Sequence, residues 1–213
     1  MKITKPFAFL LALLATTAFA DVNTSALARL QSRWAEVNYE MTGDAQKKAY
    51  EQLLDEAATF LQQHPNDAEL LIWSGIIKSS YAGVKGGLGG LSYAKEAKAD
   101  LEAALGANPS ALDGSAYTSL GVLYFKVPGW PIGFGDNKKA DELLHKALAI
   151  NPDGIDPNYF YGEFLRAEKR YAQAEVYYRK ALAAAPRPGR ESADQGRHRE
   201  IESALAAIAP KVR

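Results

Sequence analysis

Residues 140–152 read ADELLHKALAINP, and residues 174–186 read AEVYYRKALAAAP, which is the same pattern 34 residues further along the chain. The two copies align Leu144 with Tyr178 and end on Pro152 and Pro186. A fixed period of about 34 residues is typical of stacked helix hairpins. The stretch therefore predicts an all-α fold in which each hairpin buries its apolar side against its neighbours.

The same spacing extends towards the N-terminus. Tyr117, Leu120, Gly121 and Tyr124 occupy the four positions of a W-x2-L-G-x2-Y pattern, and a third copy of the second-helix spacing ends at Pro109. A last apolar helix, residues 197–208, is expected to cap the open end of the array. The predicted repeats, the first of them degenerate, are residues 26–65, 66–109, 110–152 and 153–186.

These markers make residues 26–208 resemble tetratricopeptide-repeat (TPR) proteins. The resemblance implies a right-handed solenoid of about three to four repeats, with an N-terminal helix and a C-terminal capping helix. Small residues such as Gly121 and Gly162 are expected where paired helices approach most closely. Large ones such as Leu144 and Tyr178 are expected to fill the space between hairpins.

Residues 1–20 have the features of a secretory signal peptide. Lys2 and Lys5 precede an apolar core, and Ala18-Phe19-Ala20 is a cleavage site. The core is too short to span a bilayer, so a retained anchor is the less favoured alternative and no stable membrane insertion is expected. Cleavage after Ala20 would release residues 21–213 as a single domain into the periplasm.

The charge of the exported part excludes one broad class of partner. It would carry 23 basic and 25 acidic residues, because two of the 25 Lys and Arg residues lie in the signal, and its net charge is therefore −2. Proteins that bind nucleic acid without sequence preference are usually strongly basic. No nucleic-acid partner is predicted.

Two stretches interrupt the period. Residues 82–91, AGVKGGLGGL, and residues 127–135, VPGWPIGFG, lie between the two helices of their repeats. Insertions at this place are expected to project as loops at the rim of the concave face. Trp130 and Phe134 either line a site there or anchor their own loop, and the sequence favours neither alternative.

The predicted binding surface combines the inner helix positions with these insertions. Its aromatic and charged side chains suit a protein or peptide partner, or a small organic acid. The candidate residues are Ile76, Tyr81, Lys85, Phe125, Lys126, Trp130, Phe134, Tyr159, Glu163 and Arg166.

No enzyme, cofactor or metal site is predicted. Ser92 and Lys95 match the short S-x-x-K motif, but the preferred interpretation is that Ser92 caps a helix after the glycine-rich stretch. The three histidines, His64, His145 and His198, are far apart in sequence, and none has a second His or Cys at ligand spacing. A hydrolase that uses Ser92 is therefore only a third hypothesis.

A narrower resemblance rests on residues 128–136, PGWPIGFGD, the helix that follows, and residues 158–162, NYFYG. This combination is similar to exported bacterial repeat proteins related to the T-component of TPR-associated TRAP transporters. The resemblance implies a periplasmic solute-binding protein as partner, although the anchoring cysteine of the lipoprotein members is absent. The leading hypothesis is a non-catalytic periplasmic scaffold for a protein or peptide. The alternative is a small-ligand binding or delivery accessory of a TRAP-type uptake system.

Overall fold

In the computed structural model, residues 11–212 are described, with side chains from residue 25 onward. The predicted signal peptide, residues 1–20, lies outside the residues whose side chains are described. Within the described range the chain forms nine α-helices and two short 3₁₀ helices, Ala111–Gly114 and Ala209–Lys211. The α-helices are α1 (Leu11–Glu40), α2 (Gly43–Gln63), α3 (Ala68–Lys85), α4 (Gly87–Ala107), α5 (Ser115–Lys126), α6 (Asn137–Ile150), α7 (Ile155–Ala167), α8 (Tyr171–Leu182) and α9 (Glu191–Ile208).

The first eight helices form four antiparallel hairpins, and each hairpin packs on the next. The second helices of the hairpins end two to four residues before the four periodic prolines, because a proline cannot continue a helix. Asp136 caps α6 by accepting a hydrogen bond from the Lys139 backbone N–H. The predicted all-α solenoid of helix hairpins is confirmed.

The hairpins are held together at the positions that the period marks. Leu144 and Tyr178 are fully buried. A Cβ atom added at Gly121 would lie 2.6 Å from Leu144, and one added at Gly162 would lie 2.7 Å from Tyr178. The close approach of paired helices therefore requires glycine at both positions, for the reason that the sequence suggested.

The two interruptions differ from each other in structure. The loop expected at residues 82–91 is wrong, since α3 continues to Lys85 and α4 begins at Gly87, with only Gly86 between them. A Cβ atom at Gly90 would lie 2.5 Å from the carbonyl oxygen of Ala82, so the small residues let two lengthened helices pack closely. Residues 127–136 do form a loop, closed by a hydrogen bond from the Gly135 N–H to the Pro128 carbonyl at 2.9 Å.

The C-terminal helix differs most from expectation. It begins at Glu191, six residues earlier than predicted, and it contacts α1 as well as α7 and α8. Ala193 is buried in the core formed by α1, α2 and α3, and the Tyr39 hydroxyl donates a hydrogen bond to Glu200 at 3.3 Å. The helix thus joins the two ends of the array and encloses the concave inner face.

Among residues 11–212, no helix combines the length and the apolar character needed to cross a membrane.

Candidate functional site

A pocket of about 110 Å³ remains between α9 and the inner helices α1, α3, α5 and α7. We call it the inner pocket. Because every hairpin contributes its first helix and the C-terminal segment closes the ring, the pocket exists only in the complete array. Its lining residues are Trp34, Tyr39, Trp73, Ile76, Ser79, Ser80, Ser115, Thr118, Ser119, Val122, Asp156, Phe160, Arg187, Arg190, Ala193 and Arg197.

One part of the inner pocket is aromatic and rigid. Trp34 and Trp73 meet edge to face, with ring centroids 5.7 Å apart, and both are almost fully buried. The Trp34 Nε1–H donates to the Ser80 Oγ at 2.9 Å, and that hydroxyl donates in turn to the Ile76 carbonyl. These contacts give the pocket a firm apolar wall on α1 and α3.

The hydroxyl groups on the opposite helix are less constrained. Thr118 is only 4% exposed, and within residues 25–212 its side chain makes no hydrogen bond. The Ser119 hydroxyl, also in the pocket lining, has no hydrogen-bond partner in the same range either. The pocket therefore presents donors with unused capacity.

The C-terminal side of the pocket is an ion-pair network. Asp156 accepts hydrogen bonds from the Arg187 guanidinium at 2.6 Å and from the Arg197 Nε–H at 2.8 Å. Arg187 also pairs with Asp194, and Arg197 pairs with Glu200. Burial alone would raise the pKa of Asp156, but the two arginine charges outweigh it and hold the pKa well below its usual range. Asp156 is therefore a permanent anion that ties α7 to α9.

Arg190 stands apart from this network. Its guanidinium carbon lies 4.8 Å from the centroid of the Trp73 ring, and it forms no ion pair within the described residues. Burial and the nearby Arg187 charge both lower the pKa of Arg190 from its ordinary value. Arginine nonetheless stays protonated, so a partly buried cation faces the pocket without a counter-ion in contact.

A second concavity, which we call the rim groove, has a volume of about 600 Å³ and a mainly apolar lining. It lies where the α3–α4 junction faces the end of α5 and the loop after it. The two interruptions of the period, far apart in sequence, thus form one surface. Its lining residues are Ser79, Ala82, Gly83, Gly86, Gly87, Leu88, Gly90, Leu91, Ala94, Val122, Leu123, Lys126, Val127, Pro128 and Ile132.

Three predicted site residues, Tyr159, Glu163 and Arg166, line a groove of about 410 Å³ between α1, α7 and α9. Glu163 is 6% exposed and accepts hydrogen bonds from Arg166 at 2.7 Å and from the Tyr178 hydroxyl at 2.6 Å. Burial favours a raised pKa for Glu163, but these hydrogen bonds and the Lys126 charge lower it. The Glu163–Arg166 pair is therefore part of the packing between α7 and α8.

Other predicted site residues belong to the scaffold. Tyr81 lies inside α3 and is 2% exposed, and its hydroxyl donates to Glu51 at 2.6 Å. Lys85 is the last residue of α3, and its ammonium lies 5.3 Å from the centroid of the Tyr93 ring. Phe125 packs edge to face on Phe164, with ring centroids 5.7 Å apart.

The remaining predicted residues divide between the two concavities. Ile76 lines the inner pocket and Lys126 lines the rim groove. Phe134 packs on Tyr124, with ring centroids 5.6 Å apart, and so anchors its loop. Trp130, in the same loop, is 91% exposed. The anchoring alternative therefore applies to Phe134, and a binding role for Trp130 stays a prediction.

Sequence reasoning missed the arginines of the inner pocket. Arg187, Arg190 and Arg197 lie between the end of the last predicted repeat and the start of the predicted capping helix, and Trp34 and Trp73 resemble ordinary core residues. The available signal was the combination of three arginines with Asp194 in one short segment, in a chain with little net charge. Nothing local indicated that this segment would reach Trp73.

The motif containing Ser92 is also placed differently from the prediction. Ser92 lies inside α4, five residues after its first residue, so it does not cap the helix. Within the residues that the structure describes, no group of three His, Cys, Asp or Glu side chains is arranged to bind a metal ion.

Comparison with known proteins agrees with the fold. Residues 132–191 match the family model described as tetratricopeptide repeat. The chain is also similar to the crystal structure of a thermophilic TPR protein from Thermus thermophilus, with a TM-score of 0.56 and 18% sequence identity. That alignment covers 86% of this chain and 98% of the other. No curated protein sequence matches the chain. These similarities concern architecture.

Proposed function

We propose that the chain is an exported, non-catalytic scaffold that binds an apolar segment of a partner protein in the rim groove. One observation carries the proposal. Leu88, Trp130 and Ile132, which are 83%, 91% and 63% exposed, all lie in the two interruptions that build this groove. Leu88 and Ile132 both line the groove, and exposed apolar side chains gathered at one concavity mark an interaction surface, because their exposure to water is unfavourable.

The charge at the groove indicates the chemistry of the partner. Lys126 lines the groove and is half exposed, and its Nζ lies 3.4 Å from Oε2 of Glu163. Lys85 lies beside Gly89, next to the residues that line the groove. An apolar segment flanked by acidic residues would bury its apolar side chains on Leu88 and Ile132 and place its carboxylates near these lysines.

Photocrosslinking from single positions tests the proposal in cells that export the chain. A photoreactive amino acid replaces Leu88 or Ile132, and in the matched control it replaces Val176, which is 63% exposed on α8. The expected result is one protein partner captured from positions 88 and 132 and not from position 176. Equal capture from all three positions would contradict a specific groove.

The captured partner is then purified and titrated directly. Replacing Leu88 and Ile132 together by serine is expected to weaken binding by at least about tenfold, since two buried anchors are lost. Val176→Ser is expected to leave affinity within about twofold of the unsubstituted chain. Unchanged affinity in the Leu88/Ile132 variant would refute the assignment of the groove.

The periplasmic location is part of the same proposal, and it rests on the signal at residues 1–20. Mass spectrometry of the protein from separated cell fractions provides the test. The expected finding is a mature chain beginning at Asp21 in the periplasmic fraction. A full-length chain that begins at Met1 and stays in the cytoplasm would refute it.

A second candidate function is a small-ligand binding or delivery accessory of a TRAP-type solute uptake system, with a periplasmic solute-binding protein as partner. The inner pocket favours it, because the pocket is lined from five helices and contains a cation without a counter-ion in contact. A solute-binding protein among the proteins captured at positions 88 and 132 would support it. A captured partner unrelated to solute uptake would favour the general scaffold.

A further inference from the structure

We propose that the inner pocket binds a small monocarboxylate, with its carboxylate against the Arg190 guanidinium and its apolar body against Trp73, Ile76 and Phe160. This site is separate from the rim groove, and the inference does not depend on the partner protein. It rests on the charge, the unused donors and the size of one pocket.

The charge distribution of the pocket leaves one arginine, Arg190, without a carboxylate partner. Arg187 and Arg197 are each paired with two carboxylates, whereas Arg190 contacts none among the described residues. Its guanidinium lies over the face of Trp73, a residue 3% exposed in the pocket wall. A partly buried cation is stabilised when an anion binds beside it, because its desolvation is then offset.

The hydroxyl groups supply the second, independent observation. Thr118 is more than nine-tenths buried, lines the pocket and has no hydrogen-bond partner within residues 25–212. Ser119, the next residue on α5, also lines the pocket and has no hydrogen-bond partner within residues 25–212. A carboxylate oxygen accepts hydrogen bonds from such hydroxyls, so one ligand group would satisfy both the arginine and the threonine.

The size and lining select the rest of the ligand. A cavity of about 150 Å³ holds a benzene molecule, so the volume of about 110 Å³ found here suits a short aliphatic acid. Trp73, Ile76 and Phe160 give the apolar body a dry wall. A dianion such as phosphate fits less well, because the Asp156 carboxylate lines the same pocket and would repel its second charge.

The experiment titrates the full mature chain with isobutyrate and, in parallel, with isobutyramide, its neutral analogue of the same shape. The three tryptophans provide the readout through their indole N–H signals in a ¹⁵N-labelled sample. Signals of Trp34 and Trp73 are expected to shift with isobutyrate, while that of the exposed Trp130 stays in place. Isobutyramide is expected to bind at least about tenfold more weakly, since it lacks the ion pair.

Two substitutions and one control locate the site. Arg190→Gln is expected to weaken isobutyrate binding at least about tenfold and to leave isobutyramide binding within about twofold. Thr118→Val keeps the shape, removes the hydroxyl and is expected to weaken both ligands by about threefold to tenfold. Arg179→Gln, on an exposed arginine paired with Glu175, is the matched control and is expected to change neither affinity.

Several results would overturn the proposal. These are equal binding of the two ligands, an isobutyrate affinity unchanged in Arg190→Gln, or a shift of the Trp130 signal as large as that of Trp73. Inorganic phosphate that shifts Trp73 when isobutyrate does not would also overturn it. Circular dichroism and the melting temperature identify any variant that fails to fold, and Thr118→Val then provides the deciding comparison. Partner binding at the rim groove is expected to be unaffected by Arg190→Gln, so the two proposals fail separately.

Discussion

Substituting Gly196 by alanine tests whether α9 closes the array as described. Gly196 lies inside α9, and an added Cβ atom would be 2.4 Å from the Cγ and Cδ2 atoms of Tyr39 on α1. Non-bonded carbon atoms do not approach this closely, so either the Tyr39 ring or the helix must move. The Tyr39 hydroxyl is bonded to Glu200 on the same helix, which limits the movement of the ring.

The magnitude follows from two opposing effects. Overpacking of a well-packed contact costs about 1–3 kcal/mol. Alanine in place of glycine inside a helix gains about 0.8–1 kcal/mol through propensity alone. We therefore expect Gly196→Ala to lower the free energy of unfolding by about 0–2 kcal/mol. The control, Gly106→Ala in α4, meets nothing within 4 Å and is expected to raise it slightly.

Urea unfolding followed by circular dichroism measures the difference between these two variants, which is expected to be about 1–3 kcal/mol. A double-mutant cycle with Tyr39→Leu assigns the cause, because the cost of Gly196→Ala is expected to vanish once the ring is absent. Hydrogen exchange is expected to be faster in α9 of the alanine variant. If Gly196→Ala were as stabilising as Gly106→Ala, the contact between α1 and α9 would be refuted.

Three further outcomes follow from the same structure. Leu144→Ala is expected to cost about 2–5 kcal/mol in urea unfolding because the side chain is fully buried, and the same cost from exposed Val176→Ala would contradict this. Phe134→Ala is expected to lower the melting temperature through loss of its packing on the helices, while Trp130→Ala leaves it unchanged. Asp156→Asn is expected to cost about 3 kcal/mol at pH 7, because Arg187 and Arg197 each lose one of their two carboxylate partners. Because the folded pKa of Asp156 is lowered, its contribution is complete above the unfolded pKa of about 4 and declines as the pH falls towards the folded value. The stability of Asp156→Asn is therefore expected to change less than that of the unsubstituted chain between about pH 5 and pH 2 in acid titrations.

Local repetition explains why the hairpins were predictable. The 34-residue period places Leu144 and Tyr178 in equivalent positions, and each contact that it implies joins helices adjacent in the chain. The glycines at the close approaches follow from the same register. Prediction of the first interruption as a loop was wrong, because helix packing between α3 and α4 outweighed the poor helix propensity of glycine.

The sites themselves depend on contacts that no local pattern encodes. Tyr39 and Gly196 are separated by most of the chain, and their contact decides that the inner face is enclosed. The position of Arg190 over Trp73 depends on that closure. The rim groove was partly predictable, since both interruptions were identified, but their meeting requires the curvature of the assembled hairpins. Glu163 and Arg166 were predicted as partner-binding residues, and the structure adds that they bond to each other, an arrangement that a spacing of three residues permits on any helix.

The contact between α9 and α1 also changes how the molecule comes apart. In an open solenoid each terminal hairpin has one neighbour, so the ends fray first and unfolding proceeds inward one unit at a time. Here neither end is free, because α9 packs on α7 and α8 and also on α1. Loosening the first hairpin thus also breaks its contacts with α9, and the chain acquires the cooperativity of a closed ring. Partial unfolding from either end must first detach α9.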